Sequence, residues 1–439
     1  MKRVVIVGGG WAGCAAAVAA RKAGAEVVIL ERTDALLGTG LVGGIMRNNG
    51  RFTAAEEMIA MGCGDLVTIT DRCAKHRNIR FPGHDHATLY NVGIIEPVVK
   101  GYLEALGVDV RFGARVTSVK KAGERLEACV TASGEEFPGD AFVDATGSAG
   151  PQANCVKFGN GCCMCILRCP SFGGRVSLTA LCGVQEWIGK AASGKPGSMS
   201  GSCKLLKESL APEIVQELDA NGVCVIPIPE ELGKKDVAFK ACQQYALQEY
   251  RENIVLLDTG HAKLMASYFP LESLRKIPGM EFARFEDPYA GGKGNSIRYM
   301  AIAPRDDALK VDGMDNLFCG GEKAGTLVGH TEAMVTGSLA GLNAVRFAEG
   351  QIPVVLPETL ACGDIIARCN RDMRQGAGLS TKYTFSGSVY FNHMKEAGLY
   401  TSDPDVAHKR VKEAGLDELF GTDQFLKECA ATILPQERR

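Results

Sequence analysis

The chain is constrained most by its opening. Val4-Val5-Ile6-Val7 runs straight into Gly8-x-Gly10-x-x-Gly13, and an alanine-rich stretch follows as far as Gly24. A β-branched apolar run bounded by glycines predicts a buried parallel strand. Residues 12–23 predict a helix, and residues 26–30 a second strand. Strand, glycine turn, helix and strand make a βαβ unit, so the fold is α/β with a doubly wound parallel sheet.

Each glycine in that turn has a physical task. Gly8 permits the tight bend, Gly10 lets the backbone approach a pyrophosphate, and Gly13 lets helix and strand pack closely. The helix N-terminus behind them offers unsatisfied N–H groups and partial positive charge to a phosphate. Trp11 and Ala12 lie in the same turn. Glu31 ends the second strand 18 residues beyond Gly13, followed by Arg32. Its carboxylate can accept from ribose hydroxyls and repels a 2′-phosphate, which favours FAD or NAD over NADP. The fingerprint does not choose between those two. The plain alternative, a glycine-rich turn without a ligand, is disfavoured by the strand before it and the helix after it.

Further along, residues 38–53 read as an ordered loop, 54–61 and 97–106 as helices. Residues 108–112, 115–119 and 127–131 read as strands of one small sheet, with 141–145 a short strand. Cysteine, glycine and serine dominate 155–202. Residues 204–220 and 236–252 read as amphipathic helices, 293–311 as strand-like, and 317–319 as a short buried strand. A long helix of small residues covers 329–349. Pro353 and Pro357 mark a linker to a helical remainder. The repeated Lys-Glu-Ala-Gly-Leu at 395–399 and 412–416 reads as two helix ends with glycine caps. The expected organisation is a discontinuous dinucleotide domain (1–150 and 291–350), an α+β substrate or cap domain (151–290) and a helical C-terminal region (351–439).

Charge and cysteine content narrow the setting. With 49 basic and 51 acidic residues the net charge is −2, so no overall field attracts nucleic acid, and that partner is disfavoured. The 17 cysteines are odd in number and scattered, which suits reduced thiols in a cytoplasmic protein. Met1-Lys2-Arg3 and the apolar run imitate a signal peptide, but Gly8-Gly9-Gly10 and the early Arg21, Lys22 and Glu31 break the pattern. No run of about 18 apolar residues predicts a membrane span.

Two later segments choose the cofactor by resemblance. Val143-Asp144-Ala145-Thr146-Gly147 resembles the Ala-Thr-Gly segment of glutathione-reductase-like flavoproteins. Leu317 to Gly325 resembles their second FAD motif, with Glu322 where Asp is usual. The stretch from Gly329 to Ala344, with Glu332, Thr336-Gly337, Leu339-Ala340-Gly341 and Asn343-Ala344 in step, resembles the C-terminal FAD segment of GidA and TrmFO. Those are tRNA-modifying flavoproteins with a glutathione-reductase-like FAD fold. Ile277-Pro278-Gly279-Met280, then Ala283 and Phe285, resembles a TrmFO segment. Leu37-Gly38-Thr39-Gly40 after the ribose acid resembles FAD-dependent oxidoreductases in general.

The resemblance implies an FAD-dependent oxidoreductase. Its implied FAD contacts are Gly8, Gly10, Trp11, Ala12, Gly13, Glu31, Arg32, Gly38, Gly40, Leu41, Val116, Ala145, Thr146, Gly147, Gly321, Glu322, Gly329, His330 and Thr331. The chain departs from TrmFO in lacking a His-Arg-Asn run after Ile277-Pro278-Gly279, and from GidA in showing no long C-terminal RNA-binding region. The expected activity is therefore on a small-molecule substrate. The alternatives are tRNA modification of the GidA/TrmFO type or an electron-transfer subunit. No second dinucleotide fingerprint follows a strand, and Gly291-Gly292-Lys293-Gly294 reads as a loop. Reduction then falls to the substrate itself, to loosely held NAD(P)H or to an electron-donor protein; a homo-oligomer is compatible.

Candidate chemistry gathers in three places. Arg47 and Arg51, in the loop after the ribose acid, could hold an anionic substrate or stabilise reduced flavin; an ordinary solvated loop is the alternative. His330, expected at the start of the long helix, is the best proton-transfer candidate, against a packing histidine. Cys155, Cys162, Cys163, Cys165 and Cys169 lie close together. Buried-strand, thiol-redox and cluster readings all remain for them, and their spacing fits no single tetrahedral site. His84-Asp85-His86 reads as a polar loop rather than a metal site. No metal is expected.

Overall fold

The computed structural model describes residues 1–147, 171–190, 194–196, 198–199, 203–232, 247–266, 269–286, 297–298 and 300–433. The opening strand, Arg3–Val7, is buried along nearly its whole length and lies at the centre of a five-stranded sheet. The order across the sheet is Leu317–Cys319, Ala141–Asp144, Arg3–Val7, Glu26–Leu30 and Asp109–Arg111, and every pairing is parallel. Apolar residues fill both faces, as a parallel sheet covered on both sides requires. The sheet thus takes four strands from the first 150 residues and its last from beyond residue 316.

Two helices on this sheet set the geometry of the site. Trp11–Lys22 follows the glycine turn, and His330–Ala348 follows the last strand. A Cβ on Gly337 would overlap the Ala12 carbonyl, and one on Gly341 the Ala16 carbonyl. Glycines one turn apart therefore let the two backbones touch. Both helices begin at the C-terminal ends of parallel strands, where open α/β sheets bind ligands.

Several expectations change. Residues 108–112 do not join the small sheet: Asp109–Arg111 pairs with Glu26–Leu30 at the edge of the main one. The small antiparallel sheet is Val116–Ala122, Arg125–Thr131 and Glu136–Pro138. Residues 204–220 are not one helix; Cys203–Leu205 is a strand, and the helix starts only at Pro212. Pro212 fits the first turn of a helix but would break an interior. Residues 38–53 hold a short helix, Gly40–Gly43, a two-residue strand, Ile45–Met46, and the start of the helix Gly50–Met61. His84-Asp85-His86 opens a strand, His84–Tyr90, rather than a loop. Residues 236–246 and 287–296, with the glycine-rich 291–294, lie outside the described residues, as does the cysteine group 155–169.

The segment from 203 to 286 builds its own antiparallel sheet: Cys203–Leu205, Ala262–Leu264, Asn253–Asp258 and Val223–Pro227. Its core holds Leu205, Leu218, Leu256 and Leu264, together with Ile277, Met280, Ala283 and Phe285. The TrmFO-like segment is thus a packing element. A third cluster joins Phe81, Ala87 and Leu89 to Tyr250, Val255 and Leu257, and so seams the inserted sheet to the strand pair beside the site. The C-terminal helices share the main core. Gly398 and Gly415, at φ 67° and 69°, take the left-handed positions just beyond the helices Ser388–Glu396 and Pro404–Glu413, which explains the repeated pentapeptide.

Candidate active site

The glycine turn is held from both sides. Gly8, at φ 103°, donates to Leu30 O, and a Cβ there would overlap Ala145 O. A Cβ on Gly13 would overlap the Gly8 carbonyl oxygen. At Gly10 the situation reverses: a Cβ would meet no protein atom within 4 Å and would stand in an open cleft. That is the arrangement expected where a ligand backbone approaches. The cleft, about 970 Å³ with its solvent-open mouth, runs from Glu31, Arg32 and Thr33 past Gly8, Gly10, Trp11 and Ala12 to Val328, Gly329, His330 and Ala333.

At its first end, Glu31 Oε2 accepts from Gly9 N at 2.8 Å, and Oε1 accepts from the amide and hydroxyl of Thr33, both at 2.8 Å. The carboxylate thus braces the turn, and Oε2 retains an acceptor direction suited to a ribose hydroxyl. Ala145, Thr146 and Gly147 form one side of the cleft. Their loop is fixed by fully buried Asp144, which accepts from the Thr146 and Thr179 hydroxyls at 2.6 and 2.7 Å. Gly320, Gly321 and Glu322 line the opposite side. Beneath them Lys323 is buried in an ion pair with Glu186.

At the second end, His330 opens the long helix after Gly329, whose φ of 145° suits glycine. Its ring lies 6.2 Å from Trp11 and 6.1 Å from Tyr90. Tyr90 Oη is 3.2 Å from His330 Nδ1 and 2.6 Å from Gly40 O. A Cβ on Gly43 would overlap the imidazole, so the short helix Gly40–Gly43 packs directly on it. Burial pushes the Tyr90 phenol well above its ordinary range.

The arginines are placed differently from the expectation that they meet a substrate. Arg47 is largely buried and binds Asp71 through Nε and Nη2, and Glu56 through Nη1. Burial works against its charge, but the Asp71 and Glu56 carboxylates outweigh burial and raise its pKa. Arg51 is 5% exposed and binds Glu332 at 3.2 Å, Asn48 Oδ1 at 3.1 Å, Val328 O at 3.2 Å and Thr384 Oγ1 at 3.1 Å. Neither lines the cleft. Arg47 ties two helices together, and Arg51 fixes the entry to the long helix. Arg47 and Asn49 hold positive φ, 58° and 55°, inside this buried polar network.

Of the other sequence-derived contacts, Gly38 lines the cleft, whereas Gly40, Leu41, Val116 and Thr331 stand behind its walls. Val116 is buried in the small sheet, and the Thr331 hydroxyl faces Met46. Gly13 packs helix on strand. Leu37, Thr39, Gly320, Val328, Ala333 and Arg175 line the cleft without having been singled out. Leu37 and Thr39 were legible in the Leu-Gly-x-Gly run; nothing in the local sequence marks Arg175 or Tyr90. His84 lies against Phe81, with Nδ1 2.9 Å from Asn48 Nδ2, while Asp85 pairs with Arg80. Among the described residues no group of three or more His, Cys, Asp or Glu could hold a metal. Described cysteines are free thiols; burial pushes Cys63, Cys182 and Cys319 up to about 12.

A cleft between two helix N-termini, floored by a turn whose Gly10 leaves open the space a Cβ would take, fits the extended diphosphate of FAD. The comparisons agree. Residues 3–150 match the family model FAD dependent oxidoreductase, and residues 229–352 match glucose inhibited division protein A. The tRNA uridine 5-carboxymethylaminomethyl modification enzyme MnmG of Salinibacter ruber is 29% identical over 153 residues, 34% of this chain and 22% of that protein. The methylenetetrahydrofolate–tRNA-(uracil-5-)-methyltransferase TrmFO of Moorella thermoacetica is 35% identical over 95 residues, 21% of this chain and 20% of that protein. The matches thus span about a fifth of these relatives' lengths. The structure of GidA from Aquifex aeolicus superposes with a TM-score of 0.70 at 16% identity, over 98% of this chain and 75% of that one, and shares its fold. Among the described residues no helix is long and apolar enough to cross a membrane. Over these stretches of sequence, and in fold, this chain resembles the FAD-dependent GidA and TrmFO proteins.

Proposed function

We propose that the chain uses FAD to modify a tRNA base, in the manner that the names of its relatives describe, rather than to turn over a free small molecule. The observation that carries this reading is where the second family match falls. Residues 229–352 take in part of the inserted sheet as well as the last FAD segment, so the likeness to GidA reaches beyond the generic cofactor fold. This reverses the expectation drawn from balanced charge. A net charge of −2 does not prevent local basic contacts. Lys75, Lys204 and Lys207, partly exposed, gather with His76 and His261 around Asp258 and Glu286 at the seam of the inserted sheet.

When bound, FAD supplies the hydride or electron transfer that no side chain can perform. The protein's part is distributed along the cleft. The glycine turn and the Trp11 helix would hold the diphosphate, and Glu31 the ribose. Gly329 and the start of the long helix direct N–H dipoles toward the other end, where they favour negative charge. Arg51 and Glu332 hold that helix start in place. His330 is the proton-transfer group, and Tyr90, Trp11 and Gly43 hold its ring.

The small-molecule reading retains one argument, that the seam lysines are each paired with acids. The test is a titration of the yellow holoprotein with unmodified tRNA across a salt series. Binding that weakens steeply with salt is the expected result. Absence of tRNA binding at low salt, with bleaching by an organic donor, would replace this reading with the small-molecule one.

A further inference from the structure

The Tyr90 contact carries more than packing. Its oxygen lies 2.6 Å from Gly40 O, and a carbonyl has no hydrogen to give. Only the phenol hydrogen can lie on that line, since two bare oxygens at this distance would repel. Burial keeps the phenol neutral, so the hydrogen is present. The oxygen also lies 3.2 Å from His330 Nδ1. With its one hydrogen already committed, it can only accept there.

We infer that Tyr90 is a positioning residue that fixes His330 as the Nδ1–H tautomer and leaves Nε2 as the lone-pair nitrogen. Three elements hold this arrangement. Tyr90 ends the strand His84–Tyr90, and its amide donates to Gly44 O at 3.0 Å. Gly40 and Gly43 bound the short helix, with Gly43 against the imidazole. Trp11 meets Tyr90 edge-on at 6.0 Å. In its neutral form His330 is then a proton acceptor through Nε2, and it donates from Nε2 only after taking up a proton. A substrate meeting it in the neutral form presents an N–H or O–H, not a bare lone pair.

The catalytic meaning of this inference rests on His330 being the proton-transfer group, but the tautomer and its test do not. Holoprotein labelled with 15N-histidine is examined by long-range 1H–15N correlation, and the His330 signals are assigned by their loss in His330→Gln. The expected wild-type pattern is a protonated Nδ1 with an unprotonated Nε2. Tyr90→Phe is expected to lose that pattern and revert to the Nε2–H form that free imidazole side chains favour. An Nε2–H pattern in the wild type, or an unchanged tautomer in a folded Tyr90→Phe, overturns the inference. Should Tyr90→Phe not fold, the wild-type spectrum decides alone. Full turnover by His330→Gln would instead remove its catalytic role and leave the tautomer standing.

Discussion

The nucleotide side of the cleft and the packing behind His330 are built on opposite principles. The nucleotide wall is made by leaving atoms out: Gly8, Gly13, Gly337 and Gly341 each stand where a Cβ would strike backbone. The packing behind His330 and along the inserted sheet, away from the cleft lining, is made by pairing charges. Arg51 meets Glu332, Arg47 meets Asp71 and Glu56, and Asp258 meets Lys75, His76 and Lys207. Lys263 reaches across from the inserted sheet to Val42 O at 2.8 Å. The first fails when it gains an atom, and the second when it loses one. Backbone cannot yield as a flexible side chain can, so the first should also fail more completely.

Gly13→Val tests the harder failure. Its Cβ would overlap the Gly8 carbonyl in the middle of the βαβ unit, and neither neighbour can rotate away. The variant should lose more than about 4 kcal/mol, among the largest single-residue effects, and should purify without flavin. A yellow protein with a near wild-type urea midpoint would show that this wall can relax.

Arg51→Met gives the corresponding break on the charged side. Glu332 would remain, 1% exposed, with its Thr384 and Phe385 donors but without its cation. Removing one member of a buried pair costs about 3–5 kcal/mol. Urea unfolding of the variant measures it, and the double variant Arg51→Met, Glu332→Leu should recover part of the loss. Equal losses in single and double variants would mean that the pair contributes little and that Arg51 acts through the Val328 carbonyl.

The same contrast decides what could be read from the sequence. Gly8, Gly10, Gly13 and Glu31 lie within one βαβ unit, so spacing and flanking pattern were enough to mark the glycine turn and the acid that braces it. The last strand and the long helix were legible because glycines at 320–321, 337 and 341 serve close packing and leave a local trace. Arg51 and Glu332 are separated by 281 positions and His76 and Asp258 by 182, and no window of sequence holds both partners. A loop arginine therefore looked like a free anion binder until its partners were in view. The helix expected at 204–220 failed for a related reason. Cys203–Leu205 is a strand because Ala262–Leu264 pairs with it, and helical periodicity does not register that partner. Asp109–Arg111 was assigned to the wrong sheet because a three-residue strand carries no mark of its neighbour.

Asp258→Asn probes a carboxylate that is itself buried but whose cations, Lys75, His76 and Lys207, are more exposed than Arg51, so its effect should be smaller. Burial alone would raise the Asp258 pKa, but hydrogen bonds from His76 and Lys75 and the charges of Lys75 and Lys207 outweigh it and hold it below the ordinary carboxylate range. The folded carboxylate therefore binds its proton more weakly than the unfolded one. Its contribution is complete above the unfolded value, near pH 4, and is lost as pH falls from there through the folded value. The substitution should cost about 1.5–3 kcal/mol at pH 7 and flatten the acid limb of the stability profile. An unchanged acid limb would assign that limb to other carboxylates.

Gly10→Ala should have almost no effect on the protein and a clear effect on its cofactor, which makes it the sharpest test of the nucleotide wall. Gly10 has φ −68° and ψ −179°, a conformation open to alanine, and the new methyl would meet no protein atom. Folding stability should stay within about 0.5 kcal/mol of wild type, as at unconstrained sites. The methyl would occupy space that the diphosphate needs, so FAD affinity should fall at least tenfold, or about 1.4 kcal/mol. Flavin fluorescence titration of the apoprotein measures the affinity, and urea unfolding of the same apoprotein supplies the control. A variant that binds FAD as tightly as wild type would mean that the diphosphate does not approach this backbone, whatever else the cleft accepts. A variant that loses both stability and flavin would mean that Gly10 belongs with Gly13, excluded by the protein rather than by its ligand.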